Sequence, residues 1–431
     1  MSTTSTVRPD EPPVTALEPT AAPPGLWKTP VLFGVFAVLI ALLPLLKPRA
    51  GDTTFRLAVD SDFAKLPELT APSDTITWVT VVLMLVGAGY AAWCARSGRR
   101  TPLWLVAVYG VAAMTGFLAW AAADETVPVI GLLAGALALA VPLVFGALGG
   151  VLGERAGVVN IAIDGQLLFG AFGAALIGSV TGSPWIALLA AMFAGALVAL
   201  VLGVFAITYY VDQVIVGVVL NVLVIGITSF MFSQVLAPNA ATLNSPPRFE
   251  RIPIPLLGEI PIVGPILFRQ TILVYLMYIA VAVISWALYR TRWGLRVRAV
   301  GEHPMAADTV GIKVNLTRYR TVLLAGLIAG AGGATYTLVS VSQFNRELTG
   351  GAGYIALAAV IFGKWDPIRA TLAALLFGFA QNLQSVLSVI GSPVPSQFML
   401  MLPYVVTIFA VAGLVGRSRP PEADGIPYRK A

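Results

Sequence analysis

Apolar residues fall in blocks whose lengths predict helices that cross a bilayer. Twelve such blocks cover 31–46, 76–95, 103–123, 127–153, 158–180, 185–210, 214–236, 272–289, 321–341, 354–363, 368–390 and 398–416. A straight transmembrane helix needs roughly 20 mainly apolar residues. Runs such as ITWVTVVLMLVGAGYAAWCA (76–95) and TVLLAGLIAGAGGATYTLVSV (321–341) meet that length without a single charge. Three blocks depart from the rule. Block 354–363 is too short to span as a straight helix, 31–46 is short and contains Pro44, and 158–180 carries Asn160, Asp164 and Gln166 near its start. The pattern predicts an all-α polytopic membrane protein with about 10–12 transmembrane segments, some of them broken or short.

Composition agrees: 58 % of the 431 residues are hydrophobic and 11 % are charged, against about 25 % charged in soluble domains. The distribution of Lys and Arg then predicts orientation. With the N-terminus inside and the blocks alternating, 19 of the 27 basic residues fall inside and 8 outside, so both termini are expected in the cytoplasm. The net charge of +6 is thereby explained by topology and gives no support to nucleic-acid binding. Residues 1–27, rich in Thr, Pro and Ala, lack the basic start and cleavage site of a signal peptide and read as a disordered tail. Residues 417–431 read as a cytoplasmic C-terminal tail. The single Cys94 allows no intrachain disulfide and reads as a packed free thiol.

Catalytic chemistry finds no foothold in the sequence. His303 is the only histidine, which excludes a multi-histidine metal site. The nearest approach to a phosphate-binding GxxxxGK[ST] has Ala358 at the first glycine position and Trp365 after Gly363–Lys364. No GxSxG occurs. Asp164 and Asp212 sit near predicted span ends, where a carboxylate beside a helix N-terminus is inexpensive, and Asp212 reads as an N-cap. The spans thus lack the acidic relay common in ion-driven carriers.

Two segments are interrupted in a way that points to transport. GERAGVVNIAIDGQLLFGAFGAAL (153–176) enters one side through Asn160, Asp164 and Gln166, and SQFNRELTGGAGYIALAAVIFG (342–363) enters the other through a bend containing Gly350, Gly351 and Gly353. Irregular backbone at membrane depth is tolerated inside protein or beside water, and oppositely directed broken segments mark substrate sites in many transporters. Asn221, Gln381, Asn382 and Gln384 place uncharged polar groups within spans, and Phe344 could stack on a flat ring. They read either as a polar lining of the translocation path or as interhelical hydrogen bonds. Small-xxx-small pairs such as Gly146/Gly150, Gly149/Gly153 and Gly326/Gly330 predict a tight bundle.

Between 290 and 320 the chain turns polar, with seven basic residues against Glu302 and Asp308. Inside this stretch, Pro304 suits a first helical position and Gly311 a position just past the end. The two turns between them are too short to be stable alone, so this helix must dock on something. The surface expected for it, Ala306, Ala307, Asp308 and Thr309, allows close approach of a partner. A loop folded back onto its own spans is the alternative.

Four stretches in order, GERAGVVNIAIDGQLLFGAF, RAVGEHPMAADTVGI, LAGLIAGAGGA and GYIALAAVIFGKWDP, resemble the permease subunits of bacterial ABC importers for nucleosides and simple sugars, within the broader branched-chain amino acid and ribose permease family. The resemblance covers roughly 127–416, and its first two motifs are nearest the nucleoside type. It implies a multi-pass plasma (inner) membrane permease that is not itself an enzyme, binds no cofactor, and works with a cytoplasmic ABC ATPase that uses ATP. It also implies a second permease, as a heterodimer, and an external or periplasmic substrate-binding lipoprotein. Glu302, His303, Ala306, Ala307, Asp308 and Gly311 are implied to form the ATPase-coupling loop. Residues 28–126, about three spans, are an extension beyond the shorter members, leaving 127–416 as the permease core. Ribose or other simple sugars, or branched-chain amino acids, are the alternative solutes, and a secondary carrier is the competing class.

Overall fold

The computed structural model describes residues 26–58, 66–395, 397–398, 401 and 419–430. The block expected at 398–416, apart from residues 398 and 401, lies outside the described residues, as does the tail expected at 1–27 apart from its last two.

The other eleven blocks are helices. They are α1 (Lys28–Leu46), α2 (Ser73–Arg96), α3 (Leu103–Ala121), α4 (Val129–Arg155), α5 (Ile163–Thr181), α6 (Pro184–Gly203), α7 (Gln213–Met231), α9 (Ile272–Arg290), α12 (Val314–Thr335), α13 (Ala352–Phe362) and α14 (Pro367–Val389). A single turn α8 (Ala240–Leu243) follows α7, and α10 (Arg292–Glu302) and α11 (Pro304–Thr309) lie between α9 and α12. Ten helices are long and apolar enough to cross a membrane among the described residues, and α13 is the shorter exception at 11 residues. At about 1.5 Å per residue, the 19 residues of α5 or α9 match the roughly 30 Å of hydrocarbon. Helices α6, α7 and α12 each end in a π-helical turn, at Val204–Thr208, Phe232–Leu236 and Tyr336–Ser340.

The chain divides into two compact units, residues 1–54 with 70–126, and 55–69 with 127–431. In the first, α1, α2 and α3 pack through Phe33, Ala37, Ile40, Met84 and Tyr109, and the Tyr109 hydroxyl donates to the Phe33 carbonyl. Cys94 is buried there as a free thiol.

In the second unit, α4, α5, α6 and α12 form the tightest layer. A Cβ on Gly195 of α6 would overlap the Gly330 backbone of α12, and one on Gly330 would overlap the Ala191 carbonyl of α6. The small-residue spacing thus becomes backbone contact, which brings many atoms to van der Waals distance where lipid supplies no hydrophobic drive. Asp212 caps α7, accepting from the N–H groups of Val214 (2.9 Å) and Ile215 (3.1 Å). The proline-rich loop 237–270 carries no long helix. It closes on a short antiparallel pair, Arg251–Pro253 with Arg269–Thr271, in which Ile252 opposes Gln270.

Candidate functional site

The two interrupted segments meet inside the bundle. After α4 the chain turns back through 156–162 as irregular backbone, and α5 starts only at Ile163, whose side chain lies against Gly146 and Gly150 of α4. Helix α13 also starts within the bundle, after a bend in which Gly350 (φ +54°) and Gly351 (φ +80°) take left-handed conformations. The two helix starts touch. Asp164 Oδ1 accepts the Gly353 N–H at 2.9 Å, and a Cβ on Gly353 would overlap the Asp164 backbone. From that junction α5 runs to Thr181, whereas α13 runs to Phe362 beside Trp365 and Arg155.

Asn221 of α7 locks the junction. Its Oδ1 accepts from Gly165 N–H (2.8 Å), and its Nδ2 donates to the Ile161 carbonyl (2.9 Å) and to the Tyr354 hydroxyl (3.0 Å). Nearby, the Asn160 and Gln166 amides exchange two hydrogen bonds of 3.1 Å. These buried polar groups satisfy one another, as burial requires. Tyr354 is different: 47 % of its surface is exposed although it opens α13. An exposed phenol held by a buried amide offers its ring face and a hydroxyl lone pair to whatever lies alongside. Tyr354 was passed over in the sequence, where it stood as one more aromatic in an apolar run.

The expected polar lining divides. Phe344 is fully buried, edge-on to Phe172 with ring centroids 5.4 Å apart, and its backbone exchanges two hydrogen bonds with Asn244. Asn382 donates to the Leu132 carbonyl at 2.7 Å. Gln381 and Gln384 are half-buried, with no side-chain hydrogen bond among the described residues.

A second junction gathers the polar motifs at one end, here termed the basic end. Arg155, the last residue of α4, donates from Nε to the Trp365 carbonyl (2.9 Å) and from Nη2 to the Lys364 carbonyl (3.4 Å), and its Nη1 lies 3.8 Å from Glu302. The Trp365 indole N–H donates to Glu154. Gly301 sits against the Arg155 carbonyl where no Cβ fits. The end of α13, the end of α4 and the end of α10 are therefore fixed to one another. Lys364 (φ +56°) and Trp365 (φ +55°) hold left-handed conformations unusual for residues with side chains. The sequence assigned neither Arg155 nor Trp365 a part in such a junction, although both lie within the quoted motifs.

Helix α11 has Pro304 at its first position and Gly311 at φ +84° beyond its end, and His303 precedes it as the exposed N-cap residue. Its surface is not uniformly small. Ala307 is 3 % exposed, packed with Val300, Val314 and Tyr428. Met305 (64 %) and Val310 (76 %) are exposed together with Ala306 and Thr309.

The covering residue, Tyr428, belongs to a C-terminal segment docked at this end. Ala423 N–H donates to the Gly301 carbonyl (2.9 Å), and Arg318, 1 % exposed, donates to the Ile426 carbonyl (3.0 Å). The Arg429 guanidinium lies 5.1 Å from the Tyr210 ring centroid. Burial pushes the Asp424 carboxyl up to about 7, opposed by the pull of Arg318. No local sequence pattern signals this docking.

The geometry is that of a bundle with two broken helices joined at depth and a short exposed helix tied to their ends. Residues 132–411 match the family described as branched-chain amino acid transport system / permease component. The chain belongs to that family. It is a multi-pass integral protein of the bacterial plasma membrane and a transporter component. Among relatives, it is 45 % identical over 307 residues to the guanosine ABC transporter permease protein NupQ of Bacillus subtilis (strain 168), covering 68 % of this chain and 95 % of the relative. It is 38 % identical to the nucleoside ABC transporter permease protein NupC of Lactococcus lactis subsp. cremoris (strain MG1363), covering 70 % and 97 %. It is 36 % identical to the putative glucose ABC transporter permease protein TsgC13 of Haloferax volcanii, covering 59 % and 77 %. The same two bacteria each contain a second matching permease, NupP at 25 % and NupB at 24 % identity. The chain matches no solved structure.

Proposed function

We propose that this chain is a membrane-spanning subunit of an ATP-driven ABC importer for nucleosides. The carrying observation is the match to NupQ at 45 % identity over 95 % of that permease's length. The occurrence of NupP with NupQ, and of NupB with NupC, supports a second, different permease as partner. The basic end is then cytoplasmic, in keeping with the excess of Lys and Arg there, and both termini are inside. The short α11, framed by Glu302, His303 and Gly311, is the element that a separate ATPase engages. Its exposed residues Met305 and Ala306 form the contact, while Ala307 and Asp308 hold α11 to the C-terminal segment. This chain contributes no ATP site and no cofactor of its own. An external binding lipoprotein delivers the solute at the end that carries the proline-rich loop.

In this reading the Arg155–Trp365–Glu302 junction carries movement of α11 to α13, and the Asp164–Gly353 contact passes it to α5. Tyr354, Gln381 and Gln384 supply uncharged polar groups for a solute with a flat ring and hydroxyls. Asn160, Asp164, Gln166, Asn221, Gly350, Gly351 and Gly353 shape the broken helices, and Phe344 and Asn382 brace the path from behind. A competition panel tests the solute. Uptake of labelled guanosine or uridine by cells expressing the full transporter should be blocked by unlabelled nucleosides and unaffected by excess ribose, glucose or leucine. Displacement by ribose, glucose or leucine instead would refute the nucleoside assignment and leave the permease assignment standing.

A further inference from the structure

A cleft of about 660 Å³ opens at the basic end between α10 and the start of α12. That volume lies within the roughly 300–1,000 Å³ typical of small-ligand sites. Four cations line it: Arg292 and Arg296 from α10, Lys313 from the residue before α12, and Arg320 from its second turn. None of the four has an ion-pair or hydrogen-bond partner among the described residues, and no acid lines the cleft. The remaining walls include apolar Trp293, Leu295 and Leu316. Leu295 (60 %) and Leu316 (44 %) are exposed.

A general excess of Lys and Arg at one membrane face accounts for cations spread over that face. It does not account for four of them converging on one cleft without an acid. Such a cluster repels itself, and at a membrane surface each charge is worth about 1 kcal/mol toward an anionic partner. The position selects the partner. Arg292 follows the last residue of the span α9 by two positions, and Arg320 precedes the long apolar run of α12. The cleft therefore lies where spans leave the hydrocarbon, at the depth of lipid headgroups. Trp293 on its wall is the side chain favoured at that depth, and Leu295 and Leu316 supply apolar surface for the upper part of an acyl chain. A wholly soluble anion would use the cations and gain nothing from those leucines.

We propose that this cleft binds the phosphate-bearing headgroup of an anionic phospholipid. The bound lipid bridges α10 to α12 and so braces the helices on either side of α11. The proposal depends on the membrane location of the chain and not on the identity of the transported solute.

The test uses the full chain in nanodiscs containing equal amounts of phosphatidylglycerol and phosphatidylcholine. Lipid retained after delipidation is read by native mass spectrometry. The wild type should retain phosphatidylglycerol preferentially. Arg296→Gln with Arg320→Gln should lower that retention by roughly 25-fold, about fivefold per charge removed. Arg99→Gln with Arg100→Gln, just past α2, should leave it unchanged. Equal retention of the two lipids, or retention unchanged in the Arg296/Arg320 variant, overturns the proposal. Displacement of the lipid by millimolar inorganic phosphate overturns it in favour of a free-phosphate site. Normal lipid retention with loss of ATPase co-purification in that variant overturns it in favour of a protein contact. A second measurement on the wild type needs no variant to fold: a photoactivatable phosphatidylglycerol should crosslink to peptides containing Leu295 or Leu316, and its phosphatidylcholine counterpart should not. Equal crosslinking by both overturns the proposal.

Discussion

Asn221 spends its whole amide on protein partners, bonding to Gly165, Ile161 and Tyr354. Its sequence context, one polar residue in the apolar α7, allowed either a lining or a brace, and all three bonds run to protein groups as a brace would need. Asn221→Leu leaves the Gly165 N–H and the Ile161 carbonyl unpaired in a buried site, at a cost of about 1–3 kcal/mol each. The melting temperature of the detergent-purified chain should fall accordingly, and an unchanged value would contradict the bracing role. Asp424 gives a pH dependence with a definite sign. Its pKa in the docked segment is about 7, against 3.8 for a free carboxyl, so the docked form holds a proton that the released form has already lost. Docking is strongest below about pH 4, weakens as pH rises toward 7, and is level above that. Arg318 and Glu154 face this carboxyl. A spin label on Ile426→Cys, in a Cys94→Ala background, should gain mobility between pH 4 and 7, and Asp424→Asn should abolish that change. Residue roles of this kind were not legible beforehand because they rest on contacts far apart in sequence. Asp164 and Gly353 are 189 positions apart, and Arg318 and Ile426 are 108 apart.

At the scale of elements, α11 separates two effects that its alanines seemed to share. Ala306 points out and Ala307 points into Tyr428, Val300 and Val314. Ala306→Arg should leave the permease folded and inserted and lower uptake at least about tenfold, because a bulky charge at a protein contact costs more than the 1.4 kcal/mol that a factor of ten represents. Ala307→Arg should instead destabilise the C-terminal docking, since a packed site offers no room for the longer side chain. Uptake in the variants and protease resistance of residues 419–430 separate the two, and normal uptake by Ala306→Arg would remove α11 from the coupling role. The helices themselves were legible because each apolar block encodes its own span and each cap its own end, as with Asp212 before α7 and Pro304 in α11. The π-helical ends of α6, α7 and α12 were not, because the apolar pattern is the same for α and π turns. The docked C-terminal segment was not, because PEADGIPYRK has neither apolar periodicity nor a helix signal.

At the scale of the molecule, the distribution of charge predicts which way the bundle faces. A membrane-impermeant maleimide should label Glu259→Cys from outside intact cells, and Met305→Cys only after permeabilisation, both in the Cys94→Ala background. The reverse result would invert the orientation and detach α11 from any cytoplasmic ATPase. In the proposed function energy comes from ATP hydrolysed by a partner, in keeping with relatives named as ABC transporter permeases. The most direct test is labelled guanosine uptake in proteoliposomes containing this chain, the second permease, the ATPase and the binding lipoprotein, with the proton gradient collapsed. Uptake should continue while ATP is supplied and stop when ATP is withheld. Uptake that ignores ATP and disappears with the proton gradient would contradict the account and identify a secondary carrier.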